Sequence, residues 1–214
     1  MKHLKIVALA SGSGSNLQSI IDAIEKKQLN AEISLVVSSK RKAGVIARAE
    51  KYNIPVIVVE RRIYKDNIRG FSAKIAQVIS DFSPDLILLC GFLSFLSEEF
   101  CQLYENRIFN IHPSLLPAFG GQGAYGIRVH RMALKAGVKV SGCTVMFVDA
   151  GQDTGPIIVQ KCVPVLEDDT EESLAQRVMT AEYQAYPEAV RLFGQGRLSI
   201  SNNTVKISQR KDED

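Results

Sequence analysis

Short, unbroken apolar runs alternate with helical patterns through the first half of the chain. Ile6 to Ala10, Ile33 to Val37, Val56 to Val59 and Leu86 to Cys90 have the β-branched, continuous hydrophobicity of strands buried on both faces. Between them, Leu17 to Lys27, Val45 to Tyr52 and Ile68 to Phe82 predict helices. Buried strands separated by helices predict βαβ units, and such crossovers are right-handed. The expected class is α/β, Rossmann-like, with a mostly parallel central sheet and helices on both faces.

The second half is less regular. Ile108 to Ile111 predicts a short strand, followed by a Gly- and Pro-rich stretch from Pro113 to Ile127. A helix is expected from Val129 to Ala136, and strands from Cys143 to Val148 and Ile157 to Val163. Asp169 with Glu172 three residues later reads as a capping box for a last helix, Glu171 to Phe193. That helix carries Leu174, Val178, Ala181, Ala185 and Ala189 on one stripe, and Pro187 is expected to bend it. Residues 1–200 read as one domain without internal repeat or linker, and residues 201–214 as a polar tail whose end is disordered.

Composition narrows the partners. Lys+Arg 26 against Asp+Glu 23 gives a formal charge of +3 with scattered basic residues, whereas a nucleic-acid binder concentrates them on one stripe. The expected partner is a small molecule. Cys90, Cys101, Cys143 and Cys162 show neither CxxC nor zinc spacing, and the three histidines are too dispersed for a zinc site, so no metal is expected. A reducing cytoplasm fits such cysteines best. Lys2 and Lys5 precede an apolar run, Ile6 to Ala10, that is shorter than a signal peptide's core. No run approaches a membrane span, so a soluble protein is expected.

Three segments can carry chemistry. Gly12-Ser13-Gly14-Ser15-Asn16 lies between the first strand and the first helix, where backbone N–H groups and a helix N-terminus suit a phosphate. It is neither a Walker A loop nor a full GxGxxG, and Ser15 capping the helix with Gln18 as box partner is the alternative. In Asn110-Ile111-His112-Pro113-Ser114-Leu115-Leu116-Pro117, period-two alternation puts Asn110 and His112 on one strand face. Pro113 ends the strand, leaving the imidazole at its carboxyl tip, where open α/β sheets bind ligands. An amide and an imidazole aimed at one point can hold a developing oxyanion. Alone, His112 would read as a core histidine tied to a carbonyl. The loop Asp149-Ala150-Gly151-Gln152-Asp153-Thr154-Gly155-Pro156 follows the next strand, and either Asp149 or Asp153 can orient that ring. His130, at a helix start beside the Gly-rich loop, is expected to be solvated, as is His3.

Together these segments resemble the phosphoribosylglycinamide formyltransferases, folate-dependent enzymes of purine synthesis, from about Lys5 to Leu198. The likeness rests on Gly12 to Leu17, Asn110 to Pro117 and Asp153-Thr154-Gly155-Pro156-Ile157. It implies the formyltransferase fold and a catalytic trio of Asn110, His112 and Asp153. It implies ribonucleotide binding by Gly14, Ser15, Asn16 and Glu182. A folate pocket would be lined by Leu93, Ser94, Phe95, Leu96, Asn110 and Asp149, with Arg69 the nearest candidate for an upstream arginine. The implied reaction transfers the formyl group of 10-formyltetrahydrofolate, a co-substrate, to the amine of N1-(5-phospho-D-ribosyl)glycinamide, without metal. A homodimer is plausible for this family. Ser94 stands where relatives commonly carry arginine and Met146 where histidine is frequent. Gly120 to Gly126 reads as an insertion.

Overall fold

The computed structural model describes residues 2–209. Strands β1 (Leu4–Ala10), β2 (Ala31–Ser38), β3 (Val56–Val58), β4 (Leu86–Cys90) and β5 (Ile108–His112) run parallel. Strands β6 (Val140–Phe147) and β7 (Ile157–Pro164) extend the sheet antiparallel. The order across the sheet is β3-β2-β1-β4-β5-β6-β7. The chain winds outward from β1 through β2 to β3, then returns to β4 and continues in the opposite direction. Strands β1 and β4 therefore flank the switch point, and the loops leaving their carboxyl ends open a crevice there.

Connecting the strands are α1 (Ser15–Glu25), α2 (Gly44–Lys51), α3 (Ile68–Ser80), α4 (Glu98–Leu103), α5 (Ile127–Ala136) and α6 (Glu171–Gly194), with a 3-10 turn at Arg61–Tyr64. Side-chain alternation along the sheet explains why helices lie on both faces. Ile6, Ala8 and Ala10 join the buried residues of α1, α2 and α6, while Val7 and Leu9 join Phe71, Ile75 and Ile79 of α3 and Phe100 of α4. Phe109 packs edge-on against Phe147 and Phe193, with ring centroids 4.9 and 5.5 Å apart. Fully burying such a ring contributes about 1.5–3 kcal/mol. Tyr186 is fully buried, its hydroxyl 3.1 Å from the carbonyls of Leu89 and Phe109, which docks α6 across β4 and β5. The stripe Leu174, Val178, Ala181, Ala185 and Ala189 is buried as its spacing predicts, and Pro187 lies inside one continuous helix.

The departures are local. Helix α4 is too short to show periodicity, although Ser97, whose side chain accepts from Phe100 N–H, and the acidic pair Glu98-Glu99 mark its start. The capping box of α6 is Thr170 with Ser173, not Asp169 with Glu172. Asp169 turns instead to Arg177, with two hydrogen bonds of 2.6 and 2.8 Å. Leu198–Ser201 (β8) and Thr204–Ile207 (β9) pair as a hairpin, so the segment expected to become a polar tail is structured as far as Ile207. Asn202 and Asn203, both at positive φ, form its turn. The disorder expected at the chain end concerns residues outside the described ones. Among the described residues, no helix is long and apolar enough to cross a membrane. Cys90, Cys101 and Cys143 are buried, Cys162 is exposed, and all are free.

Candidate active site

The crevice begins where β1 ends. Ser39 N–H donates to the Ala10 carbonyl (3.0 Å), Ser11 N–H to Gly91 (3.2 Å) and Leu93 N–H to Ser11 Oγ (3.1 Å), fastening three strand ends together. The chain then turns through Gly12-Ser13-Gly14 into α1. Gly14 sits at φ 75°, and a Cβ there would lie 2.7 Å from Val45 Cγ2, so glycine is required twice over. Gly14 is also the N-cap; Ser15 lies inside the helix, and Gln18 donates to Asp22 (2.6 Å) and Tyr52 (2.9 Å). The Ser15–Gln18 capping alternative is thus not the one adopted. Among the described residues, the N–H groups of Ser13, Gly14, Ser15 and Asn16 have no protein acceptor. Unpaired amides at a helix N-terminus are an anion cradle.

His112 ends β5, and its position follows from the turn after it. Thr144, opposite His112 in the β5–β6 register, accepts from Leu116 N–H (3.0 Å) and donates to the Ser114 carbonyl (2.6 Å). Gln160 adds hydrogen bonds to Thr144 and to the Leu116 carbonyl, both 3.0 Å. The imidazole is buried, with Nε2 2.9 Å from the Phe119 carbonyl. A carbonyl only accepts, so Nε2 carries a proton whatever the charge of the ring, and Nδ1 is the nitrogen turned toward Asp153. Asn110, one period earlier on the strand, faces the same cleft, and its amide has no protein partner among the described residues.

The β6–β7 loop separates its two aspartates. Asp149 accepts from Gly151 N–H (2.9 Å) and Thr154 Oγ1 (2.9 Å), closing its own turn. Asp153 sits at φ 56° and sends Oδ2 to 3.7 Å from His112 Nδ1, an ion-pair distance rather than a hydrogen bond. The same oxygen accepts from Gly121 N–H at 2.9 Å. Gly155 lets this loop approach Phe147, since a Cβ there would meet its carbonyl at 1.9 Å. Of the two aspartates, Asp153 is the one beside the histidine.

One cleft of about 1110 Å³ is lined by Asn110, His112, Asp153, Gly14, Ser15, Asn16, Glu182, Leu93, Ser94, Phe95, Leu96 and Asp149. Leu93 and Phe95 are 57 and 55 % exposed, which makes an open apolar wall suited to a flat ring. Arg69 does not join it; its guanidinium pairs with Glu99 at 2.9 Å, and Ile68 lines the cleft instead. The helix periodicity explains the difference, because adjacent residues on α3 face apart. Met146 and the Gly121–Gly126 stretch also border the cleft. Contrary to the expectation of a solvated helix start, His130 is buried in the cleft wall with Nδ1 unpartnered. Burial lowers its pKa, as does the nearby His112, while Glu171 opposes the shift. Its signal was present in the sequence: Val129, His130 and Ala133 share the buried face of α5. Phe119 and Gly121, which hold the histidine and the aspartate through backbone atoms, left no such signal.

Glu182 is buried on α6. Burial pushes its carboxyl up to about 7, against the lowering effect of a hydrogen bond from Asn16, whose Oδ1 is buried and unpartnered. A carboxyl raised on folding gives stability that is full below its ordinary 4.5 and is lost as pH rises through about 7. The loss is at most about 3 kcal/mol. We expect the melting temperature of the ligand-free protein to fall across that window, and Glu182→Gln to lack this component. Superimposable pH profiles for the two proteins would contradict the assignment.

Residues 4–190 match the family model described as formyl transferase. Among curated proteins, the chain is 38% identical to the chloroplastic phosphoribosylglycinamide formyltransferase of Vigna unguiculata, covering 99% of this chain and 68% of that protein. It is 39% identical to the trifunctional purine biosynthetic protein adenosine-3 of Homo sapiens, covering 99% of this chain but only 20% of that longer protein. Among solved structures, glycinamide ribonucleotide transformylase 1 from Symbiobacterium toebii superposes with a TM-score of 0.91 at 40% identity, covering 97% of this chain and 95% of that one.

Proposed function

The chain belongs to the formyl transferase family, and from that premise we propose that it transfers the formyl group of 10-formyltetrahydrofolate to the amine of N1-(5-phospho-D-ribosyl)glycinamide in purine biosynthesis. One observation carries the reading. A single cleft is lined both by the Ser13–Asn16 turn, whose N–H groups have no acceptor among the described residues, and by Asn110, His112 and Asp153. Phosphate recognition and acyl-transfer chemistry therefore serve one bound substrate.

In this reading the turn and the α1 N-terminus hold the 5′-phosphate, and Glu182 with Asn16 receives the ribose. Leu93 to Leu96 and the Asp149 loop take the folate. The free amine attacks the formyl carbon, and the carbonyl oxygen gains negative charge as the tetrahedral intermediate forms. The Asn110 amide donates to that oxygen, and the protonated His112 offers Nδ1–H, its Nε2 being anchored on Phe119. Asp153 lies close enough to attract the imidazolium and is itself oriented by Gly121. The C–N bond to the folate then breaks as its nitrogen takes up the proton lost by the amine, giving the formamide and tetrahydrofolate. A reducing cytoplasm suits the free cysteines of such an enzyme.

The test is incubation with glycinamide ribonucleotide and 10-formyltetrahydrofolate, followed by mass spectrometry. The reading expects the ribonucleotide to gain one formyl group only when both substrates and the protein are present. A ribonucleotide of unchanged mass, under conditions where both substrates bind, would refute it.

A further inference from the structure

The turn that would hold the phosphate is braced from behind by helix α2, and Arg48 is the centre of that brace. Its Nε donates to the Ser13 carbonyl at 3.1 Å, and its Nη1 donates to Gln18 Oε1. Gln18 is in turn held by Asp22 and by Tyr52 at the end of α2. One turn earlier on α2, Val45 N–H donates to the Gly12 carbonyl at 3.0 Å. Gly44 packs against the turn as well, its Cβ position 3.3 Å from Ser13 Cα.

These contacts have a directional consequence. In a trans peptide the C=O and the following N–H point in opposite directions. Fixing the Gly12 carbonyl toward α2 turns Ser13 N–H away from α2. Fixing the Ser13 carbonyl on Arg48 turns Gly14 N–H the same way. Both N–H groups belong to the set without a protein acceptor, and both residues line the cleft. The Val45 contact is a backbone bond that any residue except proline could make. The Ser13 contact depends on a side chain long enough to reach across and forked enough to grip Gln18 at the same time. Arg48 also places a permanent positive charge one peptide away from the anion position.

We infer that Arg48 is a positioning residue for ribonucleotide binding: it sets the Ser13–Gly14 peptide so that its N–H faces the substrate phosphate, without itself touching substrate. The inference rests on the phosphate reading of the turn. Lysine keeps the charge but carries its donors on one nitrogen of a flexible stem, without the rigid fork that spaces Nε on Ser13 and Nη1 on Gln18, so it should rescue only in part.

The experiment compares wild type, Arg48→Ala, Arg48→Lys and Gln18→Ala in steady-state formyl transfer, with inorganic phosphate as a competitive inhibitor against the ribonucleotide. Arg48→Ala is expected to raise KM for glycinamide ribonucleotide about tenfold, the loss typical of a hydrogen bond from a charged donor. The phosphate inhibition constant should rise in parallel, with kcat and the folate KM changing less than about twofold. Arg48→Lys should fall between wild type and alanine, and Gln18→Ala should shift KM in the same direction by less. An unchanged ribonucleotide KM in active Arg48→Ala overturns the inference. So does an equal weakening of both substrates, which is what general destabilisation would give. Should the alanine protein not fold, a wild-type KM in both Arg48→Lys and Gln18→Ala overturns it equally. A wild-type protein that binds both substrates yet does not turn over would instead remove the functional reading on which the inference stands.

Discussion

Replacing His112 by alanine is expected to slow formyl transfer by roughly 10²–10³, the usual loss when one oxyanion donor is removed. The loss should fall on kcat with both KM values near wild type, because the Nδ1–H bond strengthens only as charge develops on the formyl oxygen. The fold should survive. The ring gives one hydrogen bond to Phe119, and losing it costs about 1 kcal/mol plus the cavity. Asp153→Asn should lose a comparable factor for a different reason. An amide keeps the shape and the contact with Gly121 but supplies no charge to hold an imidazolium 3.7 Å away. Saturating kinetics with circular dichroism of each variant is the check. Near-native kcat in folded His112→Ala would remove the histidine from the chemistry.

The second large effect is expected at Gly14. A methyl group there must adopt a left-handed backbone at φ 75° and approach Val45 Cγ2 to 2.7 Å and its Cα to 3.2 Å. The valine sits at the start of α2 and cannot retreat without moving the helix, so the turn must shift instead. Such strain is worth about 1–3 kcal/mol. We expect Gly14→Ala to raise the ribonucleotide KM by about ten- to a hundredfold. The folate KM should stay within a factor of about two, since Leu93 to Leu96 lie on the β4 loop. Titration of each substrate separately distinguishes the cases, and a folate-side defect of equal size would contradict the assignment of the turn to phosphate.

Much of this was legible in the sequence because long-range order here follows local pattern. Apolar runs of strand length separated by helical periods allow few topologies, and the predicted Leu86 to Cys90 strand is β4 to the residue. Asn110 and His112 share a face by period two, and Pro113 had to end the strand. Residue pattern alone left Asp149 and Asp153, four residues apart in one loop, as alternatives. The family resemblance implied Asp153, and the closure of Asp149 onto Gly151 and Thr154 gives the physical reason it is Asp153 that sits beside the histidine. Residue identity carries no trace of backbone partners such as Phe119 and Gly121. Arg48 belongs to a helix whose sequence reads as an ordinary amphipathic segment. Its role depends on a turn thirty-five positions earlier in the chain. His130 was misread for a plainer reason: its place near a helix start suggested solvent, yet it shares the buried face of α5 with Val129 and Ala133.

The account stands most directly on where the formyl carbon goes. With 10-formyltetrahydrofolate labelled at the formyl carbon, NMR follows the label during turnover in the presence and absence of glycinamide ribonucleotide. The account predicts label appearing as the formamide of the ribonucleotide, matched mole for mole by tetrahydrofolate, with negligible release when the amine is withheld. Label appearing as free formate at the same rate with or without the ribonucleotide would contradict it, because the cleft would then be delivering the formyl group to water.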